Sequence, residues 1–470
     1  MERLLHIGIL ALPFVCMLSA FGGDIEAEDQ SDKPSITFSE KIRWCDNLGC
    51  SCTKLEPTPK PTLILSGYVN AQQCFDTRQV YSSRDGEGLE YPFKKDIVAC
   101  GVDANKQGSF SMYLFNVLLA FYACGKPVWG TKKTYAIIST DFRGMDATTI
   151  ELLRMRDAYV VFDWERTQLL TGQKLHPFFI DDCYPNTVAG GPLEVFTNIP
   201  MVRLTQKLNG AYKKPSDNLI FTLGTQCPAT MSKSPTSDAP GTSFVRSTLV
   251  GRNGVMPILQ VQWRHYFGTD NFFGIMIEGQ RLRPRLKTAA SIPYAEKCSA
   301  FTECMCGMYA KIVSDCAILK TKASFIQDGS ELGFMGGYAV EDQASFSKRQ
   351  KYTPLRSISF WFDVDFWPDQ ELSPGFIVAF SKNLGAGKLL FLDANKQPTI
   401  YCYGPGGSAA SIDTFFKVSP RLWFSKGVIN IGAEIDWTRA GYGTIDEYGA
   451  VQNAVPVNNV RFQLSIFYKF

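Results

Sequence analysis

The chain has 470 residues, of which 45% are apolar, 13% aromatic and 20% charged, and its 48 basic against 45 acidic side chains leave a formal net charge of +3. Such a balance excludes a disordered chain, which lacks the apolar residues to fold, and a general nucleic-acid binder, which carries a concentrated basic face. The 39 glycines and 25 prolines show no three-residue period, so collagen-like order is excluded too.

Arg3 precedes an apolar run from Leu4 to Leu18, and the small-residue stretch Ser19-Ala20-Phe21-Gly22-Gly23 comes directly after it. That order predicts a secretory signal peptide over residues 1–22. Residues 23–61, with the stretch Lys54-Leu55-Glu56-Pro57-Thr58-Pro59-Lys60-Pro61, read as a periplasmic lead-in and not as a strand. Beyond it no segment approaches the run of about 18 apolar residues that marks a membrane helix. The longest candidate, Ser111 to Cys124, is interrupted by Asn116.

From residue 62 onward the chain is a series of segments with period-two alternation, the signature of β-strands with unlike faces. Leu259, Val261 and Trp263 oppose Gln260, Gln262 and Arg264. Ile358, Phe360, Phe362, Val364 and Phe366 oppose Ser357, Ser359, Trp361, Asp363 and Asp365. Ile429, Ile431, Ala433, Ile435 and Trp437 oppose Asn430, Gly432, Glu434 and Asp436. Shorter candidates occur at 335–341 and 398–403.

Two all-β architectures satisfy this pattern. A soluble sandwich turns its apolar faces inward, whereas a transmembrane barrel turns them outward to lipid. The C-terminal segment discriminates. Val460, Phe462, Leu464, Ile466, Tyr468 and Phe470 form one unbroken apolar face opposite Asn459, Arg461, Gln463, Ser465, Phe467 and Lys469. A soluble chain that exposed such a strand would invite aggregation. The segment resembles the closing strand of bacterial outer-membrane proteins, in which Ile466, Tyr468 and Phe470 would form the signal read by the barrel-assembly machinery. The expected fold is therefore a transmembrane antiparallel β-barrel over 62–470 with about 16 strands, 14 to 18 being allowed, since single-chain bacterial barrels favour an even number.

Leu152-Leu153-Arg154-Met155-Arg156-Asp157-Ala158-Tyr159-Val160, Leu169-Leu170-Thr171-Gly172-Gln173 and Pro200-Met201-Val202-Arg203-Leu204-Thr205-Gln206-Lys207-Leu208 resemble the DcaP-type porin group. Gly333 to Val340, Lys382-Asn383-Leu384-Gly385 and Ala440-Gly441-Tyr442-Gly443 look more like porin-like outer-membrane proteins of the Bacteroidota. The resemblance implies a bacterial outer-membrane barrel for passive uptake of small hydrophilic solutes, in contact with outer-membrane lipid and, in the DcaP-type group, assembled as a homotrimer with a lumen lined partly by arginines. Fourteen cysteines depart from that pattern. Alternation puts Cys304 and Cys306 on one face beside Met308, where small apolar filler is favoured over a disulfide or a metal site.

Chemistry other than transport has little to work with. His176 and His265 sit in strand-like or strand-end contexts, and no nucleophile elbow, His-Glu-x-x-His or phosphate loop occurs. No catalytic residue, metal ligand or cofactor is expected. A surface β-sandwich adhesin or carbohydrate-binding protein and an outer-membrane barrel hydrolase are the alternative readings. For a pore, the candidates on the wet faces are Arg154, Arg156 and Arg203, with Asp363, Asp365, Glu434 and Asp436 facing them across a constriction. Arg281, Arg283, Arg285 and Lys287 repeat at period two near a rim.

Overall fold

The computed structural model describes residues 62–470 except 83–86, 88–90, 145–148, 189–196, 209–215, 226–232, 236–243, 247–248, 269, 285–299, 330–331, 333, 342–350, 394 and 402–409. The expected signal peptide and lead-in, 1–22 and 23–61, lie outside the described residues. Sixteen strands form the barrel. They are β1 (Thr62–Asp76), β2 (Ser109–Gly125), β3 (Lys133–Asp141), β4 (Arg154–Asp163), β5 (Thr167–Leu175), β6 (Asn198–Lys207), β7 (Ser216–Gly224) and β8 (Ile258–Tyr266). The second half comprises β9 (Phe272–Leu282), β10 (Phe301–Val313), β11 (Ala317–Gln327), β12 (Tyr352–Phe366), β13 (Leu372–Ala386), β14 (Ile412–Lys426), β15 (Ile429–Ile445) and β16 (Val451–Lys469).

Each strand pairs antiparallel with its neighbours in the chain, and β16 pairs back with β1 from Tyr68↔Lys469 to Asp76↔Arg461. Closure satisfies every strand edge, the condition for a sheet to cross hydrocarbon. The candidate segments at 335–341 and 398–403 do form strands, Tyr338–Val340 and Ile400–Tyr401, but they pair with each other and with the end of β12 and stay outside the barrel wall.

Connections alternate in length. Residues 164–166, 314–316 and 427–428 join strands at one rim, whereas 77–108, 225–257 and 387–411 do so at the other. Gly427 holds the two-residue turn with φ +56°, a conformation that costs glycine least. Short turns face the periplasm and long loops the exterior in barrels of this type, so the short-turn rim is taken as periplasmic.

The alternation resolves in the direction opposite to a soluble protein. Leu259, Val261, Ile358, Phe360, Ile435, Trp437, Phe462 and Tyr468 are exposed, while Gln260, Gln262, Ser357, Ser359, Asp363, Glu434, Asp436, Asn459, Arg461, Gln463 and Ser465 are buried. A sandwich of two packed sheets would reverse both sets, so that alternative is overturned by the single closed sheet. Aromatic side chains cluster toward the short-turn rim: Trp129 packs on Phe162, and Trp263 on Phe273. His265 belongs to this girdle, with Nδ1 2.9 Å from the Asp217 carboxylate, which also accepts from Trp263 Nε1 at 3.1 Å. The apolar outside, polar inside and aromatic girdle make this a multi-pass outer-membrane barrel.

Candidate functional site

The connection after β5 does not project from the rim. His176-Pro177-Phe178-Phe179-Ile180 turns back at once, with Phe179 N donating to His176 O at 2.9 Å, and leads into a single 3-10 turn at Asp181–Cys183. Phe178, Ile180 and Cys183 are buried against Met276, Met305, Tyr309, Ile326 and Trp361 from the inner wall of β9 to β12. This apolar strip draws the segment into the lumen, since its three side chains find no other cover.

Polar contacts then fix its path from β9 to β15. Lys322 Nζ donates to Phe178 O and Lys320 Nζ to Tyr184 O, each at 2.7 Å. Cys183 Sγ lies 3.2 Å from Ala310 O. Asn186 donates from its backbone to Asp363 (3.0 Å) and from its side chain to Asp365 (3.1 Å). Trp423 Nε1 reaches Asn186 O at 3.2 Å, and Glu434 accepts from Val188 N at 2.6 Å and from the Thr187 hydroxyl. Residues 176–188 thus run along the inside of the barrel and narrow it.

The acidic residues expected on the wall are all inward-facing and come together here. Asp363 and Asp365 clamp Arg421, which donates to one at 2.6 Å and to the other at 2.7 Å. Lys417 lies 3.2 Å from Asp436 and 3.9 Å from Glu434. Their first role in the geometry is to hold the inward segment and to be neutralised by β14, a contribution that alternation could not reveal.

The arginines are placed differently from one another. Arg154 makes a two-point contact with Asp141, at 2.9 and 2.6 Å. A register shift opposite Ser139 and Thr140 leaves both Arg156 and its neighbour Asp157 buried, so the strict alternation expected there is broken. Arg203 points inward between the outward Val202 and Leu204, and its Nε has no hydrogen-bond partner among the described residues. Arg281 faces the outside of the barrel, and Arg285 and Lys287 lie outside the described residues. Cys304 and Cys306 face outward beside exposed Met308 and carry free thiols with their sulfurs 3.9 Å apart. Cys124 is disulfide-bonded.

Beside the segment the wall of β5 to β11 is basic. Lys174 pairs with Asp181. Arg264 donates to Asp182 at 2.7 Å and to the Tyr309 and Tyr266 hydroxyls at 3.0 Å, and stacks over Phe272 with 4.9 Å to the ring centroid. Lys311, Lys320 and Lys322 complete this side. His176 sits at the segment's root, its Nδ1 accepting from Phe178 N at 3.2 Å and its Nε2 3.5 Å from Glu278. Burial, with Lys322 and Arg203 nearby, pushes its imidazole down to about 3, so the ring is neutral at physiological pH. Neither His176 nor His265 meets a serine hydroxyl among the described residues.

The outer-membrane channel DcaP of Acinetobacter baumannii shares this fold. The match spans 88% of this chain and 99% of that one at a TM-score of 0.61 and 14% identity. An anion-selective porin from Comamonas acidovorans matches 87% of this chain and 100% of its own at a TM-score of 0.50 and 7% identity. No protein-family model matches the chain, and no curated protein does. The likeness is one of architecture.

Proposed function

We propose that the protein is an outer-membrane porin through which small hydrophilic solutes diffuse passively, anions being favoured. The observation that carries this reading is the segment 176–188 held inside a closed barrel against a wall bearing Lys174, Arg203, Arg264, Lys311, Lys320 and Lys322. A few fixed charges in a narrow aqueous passage act on solutes through the local potential. On this reading residues 1–22 direct export, 23–61 form the periplasmic lead-in, and 62–470 are inserted by the barrel-assembly machinery and assemble as a homotrimer. The finer kinship with porin-like proteins of the Bacteroidota belongs to the same proposal.

Reversal potentials in a planar bilayer test it. Arg154, Arg156 and Arg203 changed together to Ala should shift selectivity toward cations at 0.1 M salt. The shift should fade at 1 M, where the screening length falls from about 10 Å to about 3 Å. Among single variants Arg203→Ala should account for most of the effect, because Asp141 already compensates Arg154. Unchanged selectivity of the triple variant at 0.1 M would remove these arginines from the conduction path, and a barrel that conducts nothing would sink the porin reading.

A further inference from the structure

The outer wall between β9 and β13 is interrupted by a furrow. Strand register sets Ile275, Met308, Ala323, Phe360 and Phe380 side by side in one row on the lipid face. Ala323 is the small member of that row, and a groove of about 500 Å³ opens over it between Met308 and the two phenylalanines. That is room for an extended acyl chain and for little that is polar.

Basic groups stand at the groove's end nearest the long-connection rim. Lys382 is aligned with Ile358, one row beyond Phe360 and Phe380. Arg356 lies one row further along β12, about 7 Å from Ile358 at the usual strand rise. Arg356 Nε and Nη2 donate to the Gly385 and Ala386 carbonyls at 3.3 and 2.8 Å, which fixes the guanidinium in place. No carboxylate pairs with it among the described residues. Lys382 lies 3.0 Å from Asp413 and keeps 42% of its side chain exposed. Cations on a lipid-facing wall are costly in hydrocarbon and stable at headgroup depth. At that depth one carboxylate for two cations leaves an anion wanting.

We propose that this face is a binding site for an acyl lipid whose phosphate headgroup carries a net negative charge, with one chain in the furrow over Ala323 and the phosphate against Arg356 and Lys382. The site depends on the barrel fold alone and not on what the pore conducts.

Native mass spectrometry of the full-length barrel in detergent, titrated with dioleoyl phosphatidic acid or dioleoyl phosphatidylcholine, tests the proposal. At roughly fivefold per uncompensated basic group near an anionic headgroup, and with Asp413 offsetting one of the two, phosphatidic acid should be preferred about fivefold. Arg356→Gln with Lys382→Gln should bring phosphatidic acid down to the phosphatidylcholine level. Ala323→Trp, which fills the furrow from outside, should lower retention of both lipids. Folding of each variant is verified by its migration in unboiled SDS, so loss of binding and loss of the barrel are read separately. Equal retention of the two lipids by the unaltered protein would overturn the proposal, as would an unchanged preference in the double variant. Displacement of phosphatidic acid by an equal concentration of inorganic phosphate would reduce the site to one for free anions. A disulfide-linked dimer formed by Ala323→Cys in membranes would assign the furrow to a second copy of the chain instead.

Discussion

Single side chains inside this barrel are held as ion pairs under conditions where removing one partner costs more than the pair contributes. Arg421 lies between Asp363 and Asp365 with all three side chains almost fully buried. Changing it to Met strands two carboxylates, and an uncompensated buried charge costs about 3–5 kcal/mol. Arg421→Met should therefore lower the thermal midpoint of the folded form in an SDS migration assay well below that of Asp365→Asn, which leaves one pair intact. Equal midpoints would mean that water reaches and solvates the cluster. His176 makes a second prediction, about pH. Its folded value of about 3 lies below the ordinary 6.5. The undocked segment therefore binds a proton that the docked one refuses, and docking is full above about 6.5 and weakens as pH falls toward 3. Glu278, Lys322 and Arg203 are the titratable groups around it. Current fluctuations in bilayers should accordingly grow between pH 7.5 and 4.5, and His176→Asn should flatten that dependence. Fluctuations independent of pH in the unaltered protein would rule out His176 as the sensitive group.

Among the strands, β16 carries the closure. Arg461 meets Asp76 across the seam at 3.0 and 2.9 Å, and Asn459 Nδ2 reaches the same carboxylate at 2.7 Å. At the short-turn end Phe470 exchanges backbone hydrogen bonds with Gly67, 2.9 and 3.1 Å long. A Cβ on residue 67 would collide with the Leu118 carbonyl and approach the Phe470 ring to 2.9 Å. Gly67→Ala should thus cost about 1–3 kcal/mol through overpacking and reduce the folded fraction recovered after refolding. Phe470→Ser should leave synthesis intact while lowering the amount inserted into membranes, because the outward aromatic anchor is lost together with the end of the strand. Membrane levels of Phe470→Ser equal to those of the unaltered protein would show that Ile466 and Tyr468 suffice for assembly.

At the level of the whole molecule, sixteen strands with every edge paired leave no place for unfolding to begin except the rims. The barrel should resist unboiled SDS and migrate differently after boiling, with the compact band lost in one step. A broad loss across temperature would indicate that the connections and the wall unfold separately. Replacing residues 178–187 by a short Gly-Ser linker should leave the sixteen-strand sheet closed, because it removes no strand, and raise single-channel conductance, because the segment narrows the lumen. Unchanged conductance would place the narrowest point elsewhere along the lumen.

The period-two alternation from Thr62 to Phe470 was enough for the strand class, because a strand's side chains must point alternately, and the apolar face of the terminal segment Asn459 to Phe470 pointed to a barrel with an apolar outside. The strand number was legible only as about 16 within 14 to 18, and closure of the sheet sets it at sixteen. Phe462, Tyr468, Glu434 and Asp436 could be assigned to their faces on that ground alone. The same rule misplaced nothing in β12 or β15, but it broke at Arg156, where a register shift inserts one residue and alternation loses count. Only the tertiary structure decided the inward path of residues 176–188. Its cue in the sequence, Pro177 before Phe178, Phe179 and Ile180 between charged residues, is that of any buried turn. Its destination depends on Lys320, Lys322, Asp363, Asp365 and Glu434, contributed by strands far away in the chain. Pairings of that kind are fixed by the closed barrel's diameter and register, which no local pattern encodes.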